Sequence, residues 1–378
     1  MNSTDFFQKL QDQFANNLPF VAYRNPNEGT IKSFLQQDKT LYQTTEFTES
    51  GFVFSPFNSK ETSILIPVEG SETIQCSHDN SQELLLNSST SEVYQTIIDI
   101  SARENHIKLV EKGIQQIQKG TFQKVVLSRC ESVTISESNP VVIFKKLLAT
   151  YPTAYIYVWF HPKVGLWLGA TPETLLHIEN KQFSTMSLAG TKIYNNTLDV
   201  AWGEKEFEEQ QIVTNFIVSN LKNQLETLKV SDIETVRAGN LVHLKTHISG
   251  RINSDESRIK NIIETLHPTP AVCGIPKEIA QKFILENEHY KREFYTGFLG
   301  ELNVKKAVSR NSNRRNVENN AYASIKRVSN LFVNLRCMQI QNQEAIIYIG
   351  GGITNDSNPN AEWEETVAKS VTMKKVLQ

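Results

Sequence analysis

Cysteine is scarce here, and the four present stand apart. Cys76, Cys130, Cys273 and Cys337 form no C-x-x-C pair and have no histidine cluster beside them. That spacing supports neither a disulfide framework nor a zinc ribbon, so reduced, buried thiols of a cytoplasmic protein are expected. No His/Cys ligand set for zinc can be assembled from the sequence. No apolar run reaches the roughly 18 residues of a membrane span. The N-terminal Met1 to Phe6 lacks the basic region and apolar core of a signal peptide. Charge of one sign is lacking too: the formal net charge is −2, which suggests neither nucleic acid nor an anionic membrane as partner. Serine-triad, P-loop and Rossmann signatures are absent, and Gly350-Gly351-Gly352 is not a GxGxxG.

What is present describes a globular protein. Hydrophobic residues make up 39% of the 378 positions and charged residues 21%, ample for a core. The sequence predicts an amphipathic helix over Thr4–Asn16, capped by Ser3 or Thr4, and short strands from Pro19 to Ile74. Ser77–Ser91 is a polar connector, and Glu92–Lys119 a long helix closed by Gly120. Strands are expected over Phe122–Ile135, Ala154–His161, Gly165–Gly169, Glu173–Ile178 and Gln182–Leu188, then a helix over Glu204–Leu228 and a strand over Asn240–Ile252. Short helices near Ser257–Leu266 and Pro276–Asn287 precede strands Glu293–Val304, Leu331–Ile340 and Ala345–Ile353, and a last helix ends near Leu377. Consecutive strands favour antiparallel pairing, and helices segregated from them indicate an α+β fold. Lys305–Ser329 is basic, with Arg310, Arg314, Arg315, Lys326 and Arg327. Having little aromatic interleaving, it reads better as a surface excursion between adjacent strands than as a nucleic-acid arm.

The chemistry is concentrated in a few places. Three glycines at 350–352, closing the expected strand before a polar turn at Thr354–Asn358, let a backbone approach a ligand and offer amides to an anion. In the following helix Glu362, Glu365 and Lys369 fall within roughly 60° of one another, apart from the stripe Trp363/Val367/Val371. A solvated face with (i, i+4) pairing is the alternative for that stretch. Lys124 alternates with Val126 and Ser128 on one strand face, and burial of an amine favours its neutral form, as a base requires. Glu173, between a Gly/Pro turn and an apolar strand, suits a general acid. Glu209 continues the stripe Val213, Phe216, Ile217 and Leu221, with Glu206 one turn away. A buried carboxylate needs a partner, and with Glu362 and Glu365 it would suit a hard cation such as Mg²⁺. Arg336, expected within an apolar strand, should face a carboxylate. His267-Pro268-Thr269-Pro270 and Ser187 to Thr191 read as rigid turns that could wall a pocket.

Together these stretches resemble the chorismate-utilising enzyme family. The resemblance covers about Glu92 to Leu377 and rests on KVVLSR (124–129), GATPETLL (169–176), SLAGT (187–191), the start of the 204–213 helix, LHPTPAVCGIP (266–276), FYTGFLGE (294–301), NLRC (334–337), and GGGI with EWEET (350–366). It implies a single chorismate-binding domain over 1–378, with 1–91 a weakly matching N-terminal part, antiparallel sheets inside and helices outside. A lysine at 124 resembles the water-adding members, and Ala189 stands where aminodeoxychorismate-forming members carry a nucleophilic lysine. The resemblance therefore implies isochorismate synthesis, or the related synthesis of salicylate; a non-catalytic chorismate-binding homologue is the remaining alternative. By the same resemblance Lys124 is base and Glu173 acid. Glu209 and Glu365, with Glu362 ordering waters, hold Mg²⁺. Arg336, Lys369 and the amides near Gly350 and Gly352 take carboxylate, while Ala189, Gly190, Thr191 and His267 line the ring. Chorismate is the expected partner, with no glutaminase subunit, and the chain is expected to be a monomer. The product's destination, menaquinone or siderophore, is left open.

Overall fold

The computed structural model describes residues 1–78, 99–239, 241–253, 258–308 and 324–377. Most of the expected Ser77–Ser91 connector, residues 92–98 of the long helical pattern, and Arg310, Arg314 and Arg315 lie outside the described residues.

Two large sheets form the interior. Numbered in chain order, the first runs β15 (Gly274–Ile275), β7 (Lys124–Thr134), β19 (Glu344–Ile353), β18 (Cys337–Gln341), β9 (Gly165–Thr171), β8 (Tyr155–His161), β1 (Phe20–Arg24), β2 (Thr30–Gln36), β6 (Ser71–Ser77). The second runs β12 (Leu225–Val230), β14 (Leu241–Ile252), β11 (Gln182–Ile193), β10 (Thr174–Glu179), β17 (Ser324–Val333), β16 (Phe298–Val308), β4 (Gly51–Ser55), β5 (Ser63–Pro67), β3 (Tyr42–Thr44), with β13 (Glu234–Ala238) also on β14. Pairing between these strands is antiparallel throughout. Among the described residues, seven helices cover them: α1 (Ser3–Ala15), α2 (Ile100–Gln118), α3 (Pro140–Thr150), α4 (Glu204–Leu221), α5 (Arg258–Leu266), α6 (Lys277–Asn287) and α7 (Pro359–Lys374). This is the α+β arrangement the sequence predicts. No helix among the described residues is long and apolar enough to cross a membrane.

Strand β8 shows how the layers form, since all of Tyr155–His161 is buried. Alternation sends Ile156, Val158 and Phe160 to one face, where α1 and α3 supply Phe6, Leu10, Phe144 and Leu147. Tyr155, Tyr157 and Trp159 go to the other and meet Phe52, Phe54 and Phe332 of the second sheet. That sheet's outer face packs on α4 and α5 through Val213, Ile217, Ile262 and Ile263.

Several boundaries differ from expectation. Helix α1 is capped by Asn2, whose side chain accepts from Asp5 N, rather than by Ser3 or Thr4. Helix α3 was not anticipated, although Asn139 caps it through Val141 N and Pro140 opens it. Helix α4 stops at Leu221, and the chain to Val230 leaves to pair with β14. The expected strand Leu331–Ile340 is two strands in two sheets, and Asn334 to Arg336 cross between them. Asn334 anchors the crossing, accepting from Tyr157 Oη at 2.7 Å and donating to Phe294 O at 2.9 Å. Arg336 takes φ +46° there. Strands β16 and β17 pair with Val308 opposite Ser324, so Lys305–Val308 and Ser324–Ser329 of the basic segment are strand, and residues 309–323 lie outside the described residues.

Candidate active site

The first sheet opens beside the triple glycine. Strand β18 covers β19 only as far as Ile347, so the edge beyond it faces a cleft. The glycines lie within the expected strand Ala345–Ile353, ahead of the turn that leads to α7. They are extended β-strand, Gly350 opposite Ser128 and Gly352 opposite Val126. Val126 N donates to Cys273 O and Ser128 N to Glu288, so neither pair exchanges ladder bonds. In such pairs the amide and carbonyl turn away from the partner. Gly350 O, accepting from Lys369 Nζ at 2.9 Å, shows that this direction is toward the cleft.

Each glycine makes room for something. A Cβ at Gly350 would lie 2.8 Å from Tyr295 Oη, and one at Gly351 would sit 3.4 Å from Glu362 Oε2 and 3.6 Å from Glu365 Oε1. At Gly352 it would overlap Glu209 Oε1 and stand 3.2 Å from Lys124 Cε.

Lys124 is fully buried, and its Nζ donates to Glu209 Oε1 at 2.7 Å. Burial pushes Glu209 up, but Lys124 above all, then Lys369 and Lys205, hold it below the usual carboxylate range. Glu173 is 4% exposed with no ion-pair partner among the described residues. Burial raises it to about 8, against a smaller opposing pull from Lys124 and Arg336. Its carboxyl therefore holds a proton at neutral pH.

Arg336 lines the cleft from the crossing between sheets, not from a strand. Its guanidinium has no hydrogen bond or ion pair to protein among the described residues, and burial lowers its pKa. Gly169 permits the crossing, since a Cβ there would come within 3.1 Å of Arg336 O. Gly190 and Thr191 form a bulge of β11 opposite His243, with Ala189 paired to Leu244 and Lys192 to Val242. All three residues Ala189 to Thr191 line the cleft, as expected.

Helix α7 brings the acids. Asn358 caps it, accepting from the amides of Asn360 and Ala361. Lys369 Nζ donates to Glu365 Oε1 at 2.5 Å, and Lys205 of α4 to Glu362 Oε1 at 3.1 Å. Glu362 is driven up by burial first and by Glu365 next, with Lys205 partly offsetting both. Glu364 is exposed. The stripe Trp363/Val367/Val371 is not the buried face: Val371 is 44% exposed, while Trp363, Thr366, Ser370 and Met373 are buried.

Hard oxygen donors with an excess of negative charge suit a divalent cation. Glu209, Glu362 and Glu365 surround Gly351 and Gly352, and Glu362, raised first by burial, is raised further by the neighbouring Glu365. Among the described residues no three potential ligands converge closely enough to hold an ion as they stand, each acid being drawn to a lysine instead.

One expected residue is displaced. His267 does not line the cleft; its Nε2 lies 3.0 Å from Pro56 O and its ring packs edge-on against Phe298. Burial lowers it to about 4. Its successors Ala271 and Val272 reach the cleft in its place. The histidine that does line it is His243, missed in the sequence, along with Lys205, Tyr295 and Thr296. His243 Nδ1 lies 2.9 Å from Gly190 O and 3.2 Å from Thr191 Oγ1, and burial lowers it to about 3. It must donate to the carbonyl, which leaves Nε2 as acceptor, buried and without a partner among the described residues. His243 and His247 are four apart, but on an extended strand that separates them by about 13 Å, too far to share a metal. A lysine one turn before Glu209 was the available signal for Lys205.

A family model described as chorismate binding enzyme matches residues 57–308, and a second of that description matches 321–375. Isochorismate synthase EntC of Escherichia coli (strain K12) is 29% identical over 264 residues, 67% of this chain and 62% of that protein. The match thus spans less than two thirds of EntC. Isochorismate synthase DhbC of Bacillus subtilis (strain 168) is 24% identical over 367 residues, covering 92% of this chain and 85% of that one. A solved structure of a putative 2,3-dihydroxybenzoate-specific isochorismate synthase, DhbC from Bacillus anthracis, has TM-score 0.73 at 21% identity and covers 98% of this chain and 99% of its own. The menaquinone-specific isochorismate synthase MenF of Escherichia coli has TM-score 0.70 at 19% identity, covering 95% and 89%. At those identities the structures establish likeness of fold. With the matched family regions running through both sheets and every wall of the cleft, the chain belongs to the chorismate-binding enzyme family.

Proposed function

We propose that the protein is an isochorismate synthase, converting chorismate to isochorismate by adding water at C2 and expelling the C4 hydroxyl. The observation that carries the reading is a buried carboxyl, Glu173, lining the cleft and favoured by burial in its protonated form, with a buried amine, Lys124, joined to the cleft through Glu209. A base that takes a proton from water and an acid that gives one to a departing hydroxyl are what this isomerisation needs. The new C–O bond forms at C2, the double bond shifts, and the C4–O bond breaks. The hydroxyl leaves as water with the proton of Glu173, and Lys124 keeps the proton taken from the attacking water. Exchange with solvent resets both groups.

Arg336, unpaired among the described residues, suits a substrate carboxylate, and the amides of Gly350 and Gly352 are turned to the same cleft. Mg²⁺, held by Glu209 and Glu365 with Glu362 beside them, would bind the ring carboxylate and neutralise the acids. Taking up Glu209 in that role would also release Lys124 from its ion pair. Lys369, bonded to Glu365 and Gly350 O, holds that side of the cleft in register. Because water is the nucleophile, no glutaminase subunit is part of the proposal. Free thiols at all four cysteines suit a reducing cytoplasm.

The test is incubation with chorismate and MgCl₂ followed by product analysis. Isochorismate without pyruvate is expected. Salicylate and pyruvate in equal yield would replace the proposal with salicylate synthesis, and unchanged chorismate would leave a binding homologue.

A further inference from the structure

One side chain of β7 is engaged with α7 in a way that chorismate chemistry does not require. Arg129 lies on the opposite strand face from Lys124 and is 9% exposed. Its Nε donates to Thr366 Oγ1 at 2.8 Å, and its guanidinium carbon sits 4.5 Å from the centre of the Trp363 ring. Its Nη1 donates to Glu131 Oε2 at 3.0 Å, and Glu131 Oε1 in turn meets Lys374 Nζ at 2.5 Å. The hydroxyl of Thr366 already donates to Trp363 O at 2.8 Å, so its lone pair is set to accept from Arg129. Behind Trp363, the ring of His106 from α2 packs at 6.0 Å, kept neutral mainly by burial.

Trp363 and Thr366 follow Glu362 and Glu365 by one residue each, so the gripped stripe and the acidic stripe differ by about 100° around one helix. We propose that Arg129 is a positioning residue that sets the rotation of α7 about its axis, and through it where Glu362 and Glu365 present their carboxylates to a divalent cation. The magnitude makes this consequential. A carboxylate about 6 Å from the helix axis moves about 2 Å for a 20° rotation, whereas Mg²⁺ tolerates only small departures from its 2.0–2.1 Å octahedral contacts. The same strand then carries a catalytic amine on one face and the gauge for the metal-binding helix on the other. The inference rests on the proposed cation role of these glutamates.

The test compares wild type with Arg129→Met and Arg129→Lys, reading Mn²⁺ affinity by electron paramagnetic resonance on the substrate-free protein, and Tm without metal. Met preserves much of the packing over Trp363, and Glu131 keeps Lys374, so both variants should fold. Arg129→Met is expected to weaken Mn²⁺ binding about tenfold or more, with kcat at saturating metal much closer to wild type. Arg129→Lys keeps the charge but loses the planar fork, and should recover only part of the affinity. Thr366→Val, which removes the accepting hydroxyl alone, should weaken Mn²⁺ in the same direction by a smaller factor. Unchanged Mn²⁺ affinity in Arg129→Met, with or without a lower Tm, would overturn the proposal. Wild type that binds no Mn²⁺ would instead sink the cation reading itself, a separate failure.

Discussion

Two regions of the first sheet are built in opposite ways. Near β8 and β9 its inner face is filled by Trp159, Trp167, Tyr155 and Tyr157, which meet Phe54, Phe294 and Phe332 in stacked and edge-on contacts. Near β7 and β19 the corresponding region carries Gly350, Gly351 and Gly352, with lysines and glutamates around them. Large rings in one region exclude ligand and hold the sheets together. Absent side chains in the other leave space in which charged groups meet. The lesson is that stability and chemistry occupy different regions of one sheet, so changes in each region should separate in their effects.

The largest separation is expected from Lys124→Ala, which should lower turnover about a thousandfold or more. Chorismate binding, read by calorimetry, should survive; normal turnover would refute the base role. Trp159→Ala should do the reverse. Loss of a fully buried ring costs about 3–5 kcal/mol, seen as a lower denaturation midpoint, with activity per folded molecule retained. If activity per folded molecule fell as far as stability, the two regions would not be independent. Gly352→Ala fills the open region with one methyl group where Glu209 Oε1 stands. Displacing Lys124 and Glu209 by about 1 Å is enough for roughly a hundredfold loss of kcat, with Tm nearly unchanged.

The most gradual effect is the pH response of Glu173. Its folded pKa of about 8 exceeds the ordinary value of 4.5. The proton is needed on the acid, so kcat should fall about tenfold per pH unit above roughly 8. Stability moves in the same direction. A carboxyl with a raised folded pKa favours the folded state most below 4.5, and that contribution is lost as pH rises to about 8, by roughly 5 kcal/mol at full extent. Glu173→Gln should remove this slope from the unfolding free energy. A slope that persists in the variant would assign it to another group.

Much of the site was legible along the chain. Residues 359–369 spelled out a capped helix with two acids and a lysine on one face, and Glu173 between a Gly/Pro turn and an apolar strand is indeed a buried carboxyl. The alternation of residues 124–129 correctly marked a strand, and the consecutive strands correctly implied antiparallel sheets. Other features were visible but unread. Asn139-Pro140 is a helix start by ordinary capping chemistry, and α3 follows it. Helix α4 was drawn past Leu221 because 222–228 has no local stop signal, and only the pairing with β14 makes it a strand.

Local physics along the backbone was sufficient for the α+β class, the capped α7 helix and the set of polar residues rich enough for acid–base and cation chemistry. These depend on periodicity and on neighbours within a few residues. Contacts between distant segments were decided elsewhere. Whether His243 or His267 faces the cleft depends on a bulge in β11 and on Phe298 and Pro56, far away in sequence. Arg336 reaches the cleft because the chain changes sheets at Asn334, held by Tyr157 and Phe294. What the glycines of the expected strand make room for, the side chains of Tyr295, Glu362, Glu365 and Glu209, comes from other elements. Such long-range packing leaves no periodic trace in any one stretch of the sequence.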